Sequence, residues 1–279
     1  MHVPSAFRRE ADVALLAGIA EPVETGPVLL DGRRPAYLVT HGEADLYTVP
    51  RGFHKPLSTG TFLARIEPGT VLPSSTVLGA WQLVLAPLPG TRVRPLRAHR
   101  LRRLGFGGPA DAAETPMVPP PRAVPMLMAA LARGVDAGLL AIAASLRVGE
   151  PPADCAPLGD AQLVSLAAGS ALSGHDGDDA VIWLRVAGGH IRRNGEDAAV
   201  FGGPEPALLA GRDWIVADGP CTVEAAHTAD LLFAGQLPSA IDHNTVLTLR
   251  TIERMLAGGE PAGSPPVWPP PNCPLCGWQ

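Results

Sequence analysis

The chain has 279 residues, enough for one large domain or two ordinary ones. Hydrophobic residues make up 46% of it and charged residues 18%, so there is ample material for real cores. The formal net charge of -5 excludes a generally nucleic-acid-binding surface, and Lys55 is the single lysine, so nearly every positive charge is arginine.

The opening stretch, MHVPSAFRREADVALLAGIAEP, carries a short apolar piece that follows acids and lacks a small-residue cleavage site. It reads as a helical segment and not as a signal peptide. Next come two segments that echo each other, ETGPVLLDGRRPAYLVTHGEADLY (24–47) and AAGSALSGHDGDDAVIWLRVAGGHIR (167–192). Each has a short apolar strand (Val28–Leu30; Ala171–Leu172), a polar turn, a stronger strand (Ala36–Val39; Val181–Val186) and then V-x-x-G. That register sets Val39 and Gly42 against Val186 and Gly189. The continuations match as well: LARIEPGTVL (63–72) and VLAPLPGTRVRPL (84–96) in the first half, then DAAVFGG (197–203), DWIVADG (213–219) and TVEAAH (222–227) in the second. Short strands punctuated by Gly/Pro turns every ~8–12 residues predict a mainly β protein of two tandem rolls.

A Pro-rich linker, PADAAETPMVPPPRAVP (109–125), separates the halves. After it, Leu127, Leu131, Val135, Leu139, Ile142 and Leu146 recur at three- and four-residue spacing and predict an amphipathic helix over 126–149, weakened in its middle by Gly134 and Gly138. A second helix is predicted over 239–256, capped by Ser239 and striped by Ile241, Val246, Leu249, Ile252 and Leu256. The apolar run Gly138–Leu146 is far short of the ~20 residues a membrane helix needs. Four cysteines, two of them isolated, fit a reducing compartment. The expectation is a cytoplasmic, non-membrane-spanning chain in four parts: 1–108, a first roll with an N-terminal helical segment; 109–150, linker and connecting helix; 151–257, a second roll with a C-terminal helix; 258–279, a Pro-rich tail.

Three features are candidates to carry chemistry. In AYLVTHGEADLYTVP (36–50), His41, Glu43 and Asp45 stand together, but a cupin-type metal site needs further histidines on neighbouring strands. His41 and Glu43 therefore read as solvated turn residues, and Gly42 and Gly189 as positions that need φ > 0. No G-x-S-x-G elbow or phosphate-binding loop occurs, and Cys155 and Cys221 lack a catalytic context. Arginine concentrates in TRVRPLRAHRLRRLG (91–105), with Arg92, Arg94, Arg97, Arg100, Arg102 and Arg103. This reads either as a docking patch for an acidic peptide, a phosphate or an anionic lipid, or as a solvated strand edge running into a short helix. Finally, Cys273 and Cys276 in CPLC have the spacing of half a zinc knuckle, two ligands of the four that a structural zinc takes. The tail reads equally as unstructured, or as a peptide that a partner recognises.

Taken together, PVLLDGRRPAYLVTHGEADLYTVP, TFLARIEPGTVL and LAPLPGTRVRPL resemble the amino-terminal segment of NHLM-type bacteriocin ABC transporters. AVIWLRVAGGHIRR resembles the second roll-like unit that follows there, so the likeness spans roughly residues 20–257. The resemblance implies rolls similar to cyclic-nucleotide-binding domains. The permease and ATPase parts of that family have no counterpart here, which implies a free-standing relative, a regulatory or recognition subunit, or a truncated product. Cyclic-nucleotide domains carry an F-G-E turn and an arginine-containing loop. The nearest text is VFGGPEPALLAGRD (200–213), with Gly203 in place of the acid and Arg212 beside it. The function implied is a non-enzymatic binding or regulatory module in export or maturation of a ribosomal peptide. It would have a protein partner (a transporter component or the peptide precursor), no nucleic acid, and no cofactor beyond zinc at Cys273 and Cys276. Its ligand-contacting residues would be Arg212, Arg92, Arg94 and Arg97. Two alternatives are a sensor of a nucleotide-like small molecule in the second roll and a metal-dependent cupin-type enzyme.

Overall fold

The computed structural model describes residues 5–24, 26–51, 60–76, 79–104, 123–146, 150–158, 163–174, 181–194, 200–201 and 206–257. The proposed zinc pair, Cys273 and Cys276, and most of the Pro-rich linker lie outside them.

After helix α1 (Ser5–Ala17), the described residues of the first half form seven strands: β1 (Val28–Leu29), β2 (Ala36–His41), β3 (Ala44–Pro50), β4 (Thr61–Ile66), β5 (Val71–Pro73), β6 (Trp81–Pro87) and β7 (Arg92–Pro95). One sheet runs β1-β6-β3-β4 and the other β5-β2-β7. The second is extended past β7 by residues 20–24, through the bridges Ala20↔Leu96 and Glu24↔Val93. Helices α2 (Ala98–Arg103) and α3 (Ala123–Ser145) follow. The second half forms β8 (Ala156–Pro157), β9 (Leu163–Leu166), β10 (Ala171–Ser173), β11 (Val181–Gly188), β12 (Ile191–Arg193), β13 (Val200–Phe201), β14 (Ala207–Ala210), β15 (Trp214–Ala217) and β16 (Cys221–Ala226). Its sheets run β13-β12-β15-β10-β8 and β14-β11-β16-β9. Helices α4 (Thr228–Phe233) and α5 (Leu237–Ala257) close the described chain.

The two halves have one topology. If residues 20–24 are matched to β9, β1 to β10, and so on to β7 and β16, every matched pairing recurs in both halves, and only β8, which adds a parallel edge to β10, has no counterpart among the described residues. The match extends to detail. β2 slips register against β7 between Val39 and His41, and β11 slips against β16 between Val186 and Gly188. Each bulge is followed by a left-handed glycine, Gly42 at φ 68° and Gly189 at φ 82°. A side chain on Gly42 would meet the Cα of Thr91 at 2.8 Å, and one on Gly189 the carbonyl oxygen of Pro220 at 2.7 Å. Both positions thus demand glycine for conformation and for space. The register chosen in sequence, Val39/Gly42 against Val186/Gly189, is the structural one.

The core lies in and between the rolls. The inner face of the first roll buries Val28, Val39, Leu46 and Leu85, and that of the second buries Leu184, Ile191, Leu209 and Ile215. A third cluster fills the space between them around α3, where Leu131, Val135 and Leu139 join Leu16 of α1, Leu38, Leu96, Trp183 and Leu232. Helix α3 is longer than the run Gly138–Leu146 and is apolar and long enough to cross a membrane by length and composition. Its apolar stripe is instead committed to this cluster. Gly134 and Gly138 are where it touches β5, since a side chain on Gly138 would stand 2.5 Å from the carbonyl oxygen of Val71. The helix starts at Ala123, so Pro125 falls in the first turn, where amide hydrogens have no intrahelical acceptor.

Helix α5 begins two residues before the predicted cap: Ser239 lies inside its first turn, its hydroxyl donating to the Gln236 carbonyl at 2.9 Å. The helix spans both halves. Its early part packs Ala240 and Ile241 into the central cluster, and its late part packs Leu249 and Ile252 into the first roll. Midway, buried Asn244 serves the outer strand β14 as a neighbouring strand would. Its Oδ1 accepts the Leu208 amide at 3.1 Å and its Nδ2 donates to the Pro206 carbonyl at 3.1 Å.

Candidate functional site: an arginine-lined cleft on the first roll

The polar knot at 41–45 is split by the turn at Gly42. Asp45, 3% exposed, is locked onto the β3–β4 pair: Arg65 donates to it from Nε at 2.9 Å and from Nη2 at 3.4 Å, and the Tyr47 hydroxyl at 3.3 Å. Glu43 is exposed and also faces Arg65, at 3.4 Å. Asp45 is therefore structural, whereas Glu43 is a solvated turn residue that shares the same guanidinium. His41, on the other sheet, is exposed and turns into a cleft with Val23, Thr40, Arg92 and Arg94, about 370 Å³ in volume.

The fold gives this cleft its charge. β7 pairs with β2 on one side and with residues 20–24 on the other, so it is an inner strand and not the shielded edge expected from its arginines. The bulge at Val39/His41 brings His41 opposite Arg92. The Arg94 Nε donates to the Glu21 carbonyl at 2.7 Å, which anchors the guanidinium through backbone. The Glu21 carboxylate is itself held by Arg34 at 3.0 Å. The Thr40 hydroxyl is taken by the Arg92 carbonyl at 3.0 Å. Among the described residues neither Arg92 nor Arg97 has an ion-pair partner. Arg97 sits just beyond β7, before α2, and its amide donates to the Ile19 carbonyl at 3.0 Å. Arg100, Arg102 and Arg103 are exposed along α2, which is pinned by buried Leu101 and Leu104. Of the four arginines singled out in sequence, Arg92 and Arg94 thus line one cleft and Arg97 adjoins it along the chain.

Arg212 stands in the other roll. It is exposed at the tip of a three-residue turn, Gly211–Asp213, between β14 and β15. A turn this short has no loop to wrap a sugar-phosphate. Its neighbour Asp213 is buried and consumed by structure, accepting from Arg193 Nη2 at 2.5 Å, Asn194 Nδ2 at 2.9 Å and the Ala210 amide at 3.0 Å. Among the described residues no three His, Cys, Asp or Glu side chains are placed to share a metal ion. His41 in particular faces two guanidinium groups, which repel a cation. Burial pushes the thiols of Cys155 and Cys221 up, away from the thiolate that a nucleophile needs.

Three features escaped the sequence reading. Helix α4 is announced by HTAD (227–230), where the His227 amide donates to the Asp230 carboxylate at 2.9 Å, half of a capping box. Ser75 donates to Asp242 at 2.6 Å and so ties the β5–β6 connection to α5. Half-buried Asp136 and buried Thr228 and Trp183 form a chain between α3 and the second roll. The last two join residues too distant in sequence to carry a local signal.

No protein-family model and no curated protein matches the sequence. Among solved structures, the chain is similar to the heme domain of CooA from Rhodospirillum rubrum, at 16% identity and TM-score 0.28, over 36% of this chain and 83% of that one. It is similar also to a regulatory subunit of a cAMP-independent protein kinase A from Trypanosoma cruzi bound to guanosine, at 11% identity and TM-score 0.26, over 89% and 86%. A third likeness is to YhaK from Escherichia coli, at 13% identity and TM-score 0.19, over 74% and 78%. At such scores none of these carries a ligand or an activity across, and the roll architecture rests on the strand order itself.

Proposed function

We propose that this protein is a non-enzymatic, cytoplasmic binding or regulatory module that holds an acidic segment of a protein partner against the arginine-lined face of its first roll. The observation that carries the reading is the convergence of Arg92, Arg94 and His41 in one open cleft on a chain whose net charge is -5. Arg94 is anchored by backbone, so less conformational freedom is lost when a carboxylate docks on it. Arg97, Arg100, Arg102 and Arg103 continue the positive charge beyond the cleft and favour an extended acidic partner over a single small anion. The sequence resemblance to the transporter segment supplies the setting: export or maturation of a ribosomal peptide natural product, with the peptide precursor or a transporter component as partner.

The test is direct titration of the full chain with a fluorescein-labelled octaglutamate peptide. Binding should weaken as ionic strength rises past physiological. The Arg92→Ser/Arg94→Ser double variant should lower affinity by about tenfold, equivalent to about 1.4 kcal/mol. Equal binding by the double variant and the parent would refute the site.

A further inference from the structure

Helix α3 packs against α1, β4 and β5 on one side and against α4, β11 and β14 on the other, so whatever fixes α3 to the second roll also fixes the rolls to each other. At its middle one polar connection crosses that second interface. The Trp183 indole N–H donates to Thr228 Oγ1 at 2.9 Å, and the Thr228 hydroxyl donates to Asp136 Oδ1. Trp183 is fully buried in β11 and Thr228 is 1% exposed at the start of α4. Among the described residues, the Asp136 carboxylate has no cation within ion-pair distance. Arg133, one turn earlier on α3, is directed at α1, where its Nε and Nη2 hold the two oxygens of Asp12 at 2.8 and 2.6 Å. At the cap of α4, His227 lies beside the carboxylate, and Asp230 on α4 is engaged with the His227 amide. On β11, Arg185 is spent on Glu224 and Gln236. The stretch of β14 that packs here is Ala207–Ala210, which has no titratable side chain.

We infer that Asp136 is a proton-operated tie between the connecting helix and the second roll: when it takes up a proton the two pack more tightly, and when it is ionised they loosen. A carboxylate that is largely desolvated, with one hydroxyl donor and no direct ion-pair partner, is costly to keep charged, whereas the neutral acid fits the same space without that penalty. Burial accordingly raises the Asp136 carboxyl to about 6, against the weaker opposing influence of Thr228, His227 and Arg133. The tie therefore changes state close to neutrality, and acidification strengthens the contact between the rolls where most buried carboxylates would weaken it. This goes beyond partner docking, because it sets how firmly the cleft-bearing roll is coupled to the other.

The experiment follows the Trp183 indole N–H resonance of the full chain from pH 4.5 to 8, assigned with Trp183→Phe. The parent should show one titration centred near pH 6, and Asp136→Asn a flat line. His227→Gln should retain the titration with a higher midpoint, because the His227 influence that holds the Asp136 value down is removed. Persistence of the titration in Asp136→Asn, or its loss in His227→Gln, would overturn the inference. A second pair guards against a misfolded Asp136→Asn protein: Thr228→Ser should keep the response and Thr228→Val abolish it, and an undiminished response in Thr228→Val overturns the relay. Protection of β11 and α4 amides, corrected for intrinsic exchange, should be about tenfold higher at pH 5 than at pH 7.5. Equal protection at the two pH values would sink the tie.

Discussion

Replacing Gly138 by alanine sets two effects of opposite sign against each other. In an exposed helix interior the change stabilises by about 1 kcal/mol, because glycine is the poorer helix former. Here the new methyl group would stand 2.5 Å from the Val71 carbonyl oxygen and 3.1 Å from Leu72 Cδ2. The nearer atom is backbone, held in the β2–β5 ladder by the Leu38↔Val71 pairing, so it has no rotamer with which to yield. Helix and strand must part by about half an ångström or more, and the gap opens where Leu131, Val135 and Leu139 meet Val71 in the central cluster. Overpacking of this kind costs about 1–3 kcal/mol. Because the clash is with fixed backbone, the cost falls in the upper half of that range, the steric term wins, and a net loss of about 1–2 kcal/mol should lower the melting temperature by about 2–4 °C. Circular dichroism melts of parent and Gly138→Ala protein at pH 7.5 decide the matter. Gly134→Ala, aimed at the same gap, should add less in the double variant than it costs alone, since the first methyl group has already lifted the helix. A higher melting temperature for Gly138→Ala would show that α3 does not rest on β5 as described.

The remaining expectations concern other parts of the fold. Because the folded value for Asp136 is raised from 3.8 to about 6, the stability this group contributes is complete below pH 4 and lost as pH rises through 6. Asp136→Asn should therefore match the parent near pH 4 and exceed it by about 3 kcal/mol at pH 7.5, as urea midpoints at the two pH values would reveal. Arg193→Met leaves Asp213, 2% exposed, without its cation and should cost about 3–5 kcal/mol in the same assay. Asn244→Leu strands the Leu208 amide and the Pro206 carbonyl at the outer edge of β14, with an expected loss of about 2 kcal/mol or more. Deleting residues 258–279 should leave a single cooperative melt, whereas deleting 237–279 should abolish it, since Leu249 and Ile252 go with it.

The repeat was legible because backbone geometry leaves a residue-level trace. A bulge followed by a left-handed turn that closes on a neighbouring strand admits only glycine, and Gly42 and Gly189 stand at that point in both halves. The long helices were legible from the spacing of Leu131, Val135 and Leu139, and of Ile241, Leu249 and Ile252. The start of α5 was not, because Ser239 looks like a cap when only its sequence neighbours are known. The arginine cluster announced itself, but not which members converge: His41 meets Arg92 through cross-strand register, across some fifty intervening residues. The relay from Trp183 to Asp136 lies further out of reach, since a lone Asp in an apolar stripe and a Thr after a His have no pattern that links them.

The late half of α5 has a consequence for how the polypeptide is made. Leu249 and Ile252 complete an apolar cluster whose other members, Val28 to Val93 among them, leave the ribosome much earlier. At ~5–20 residues per second the wait is on the order of ten seconds. Throughout it the first roll carries an open greasy seam, a window in which a chaperone or a wrong neighbour competes with a helix not yet translated.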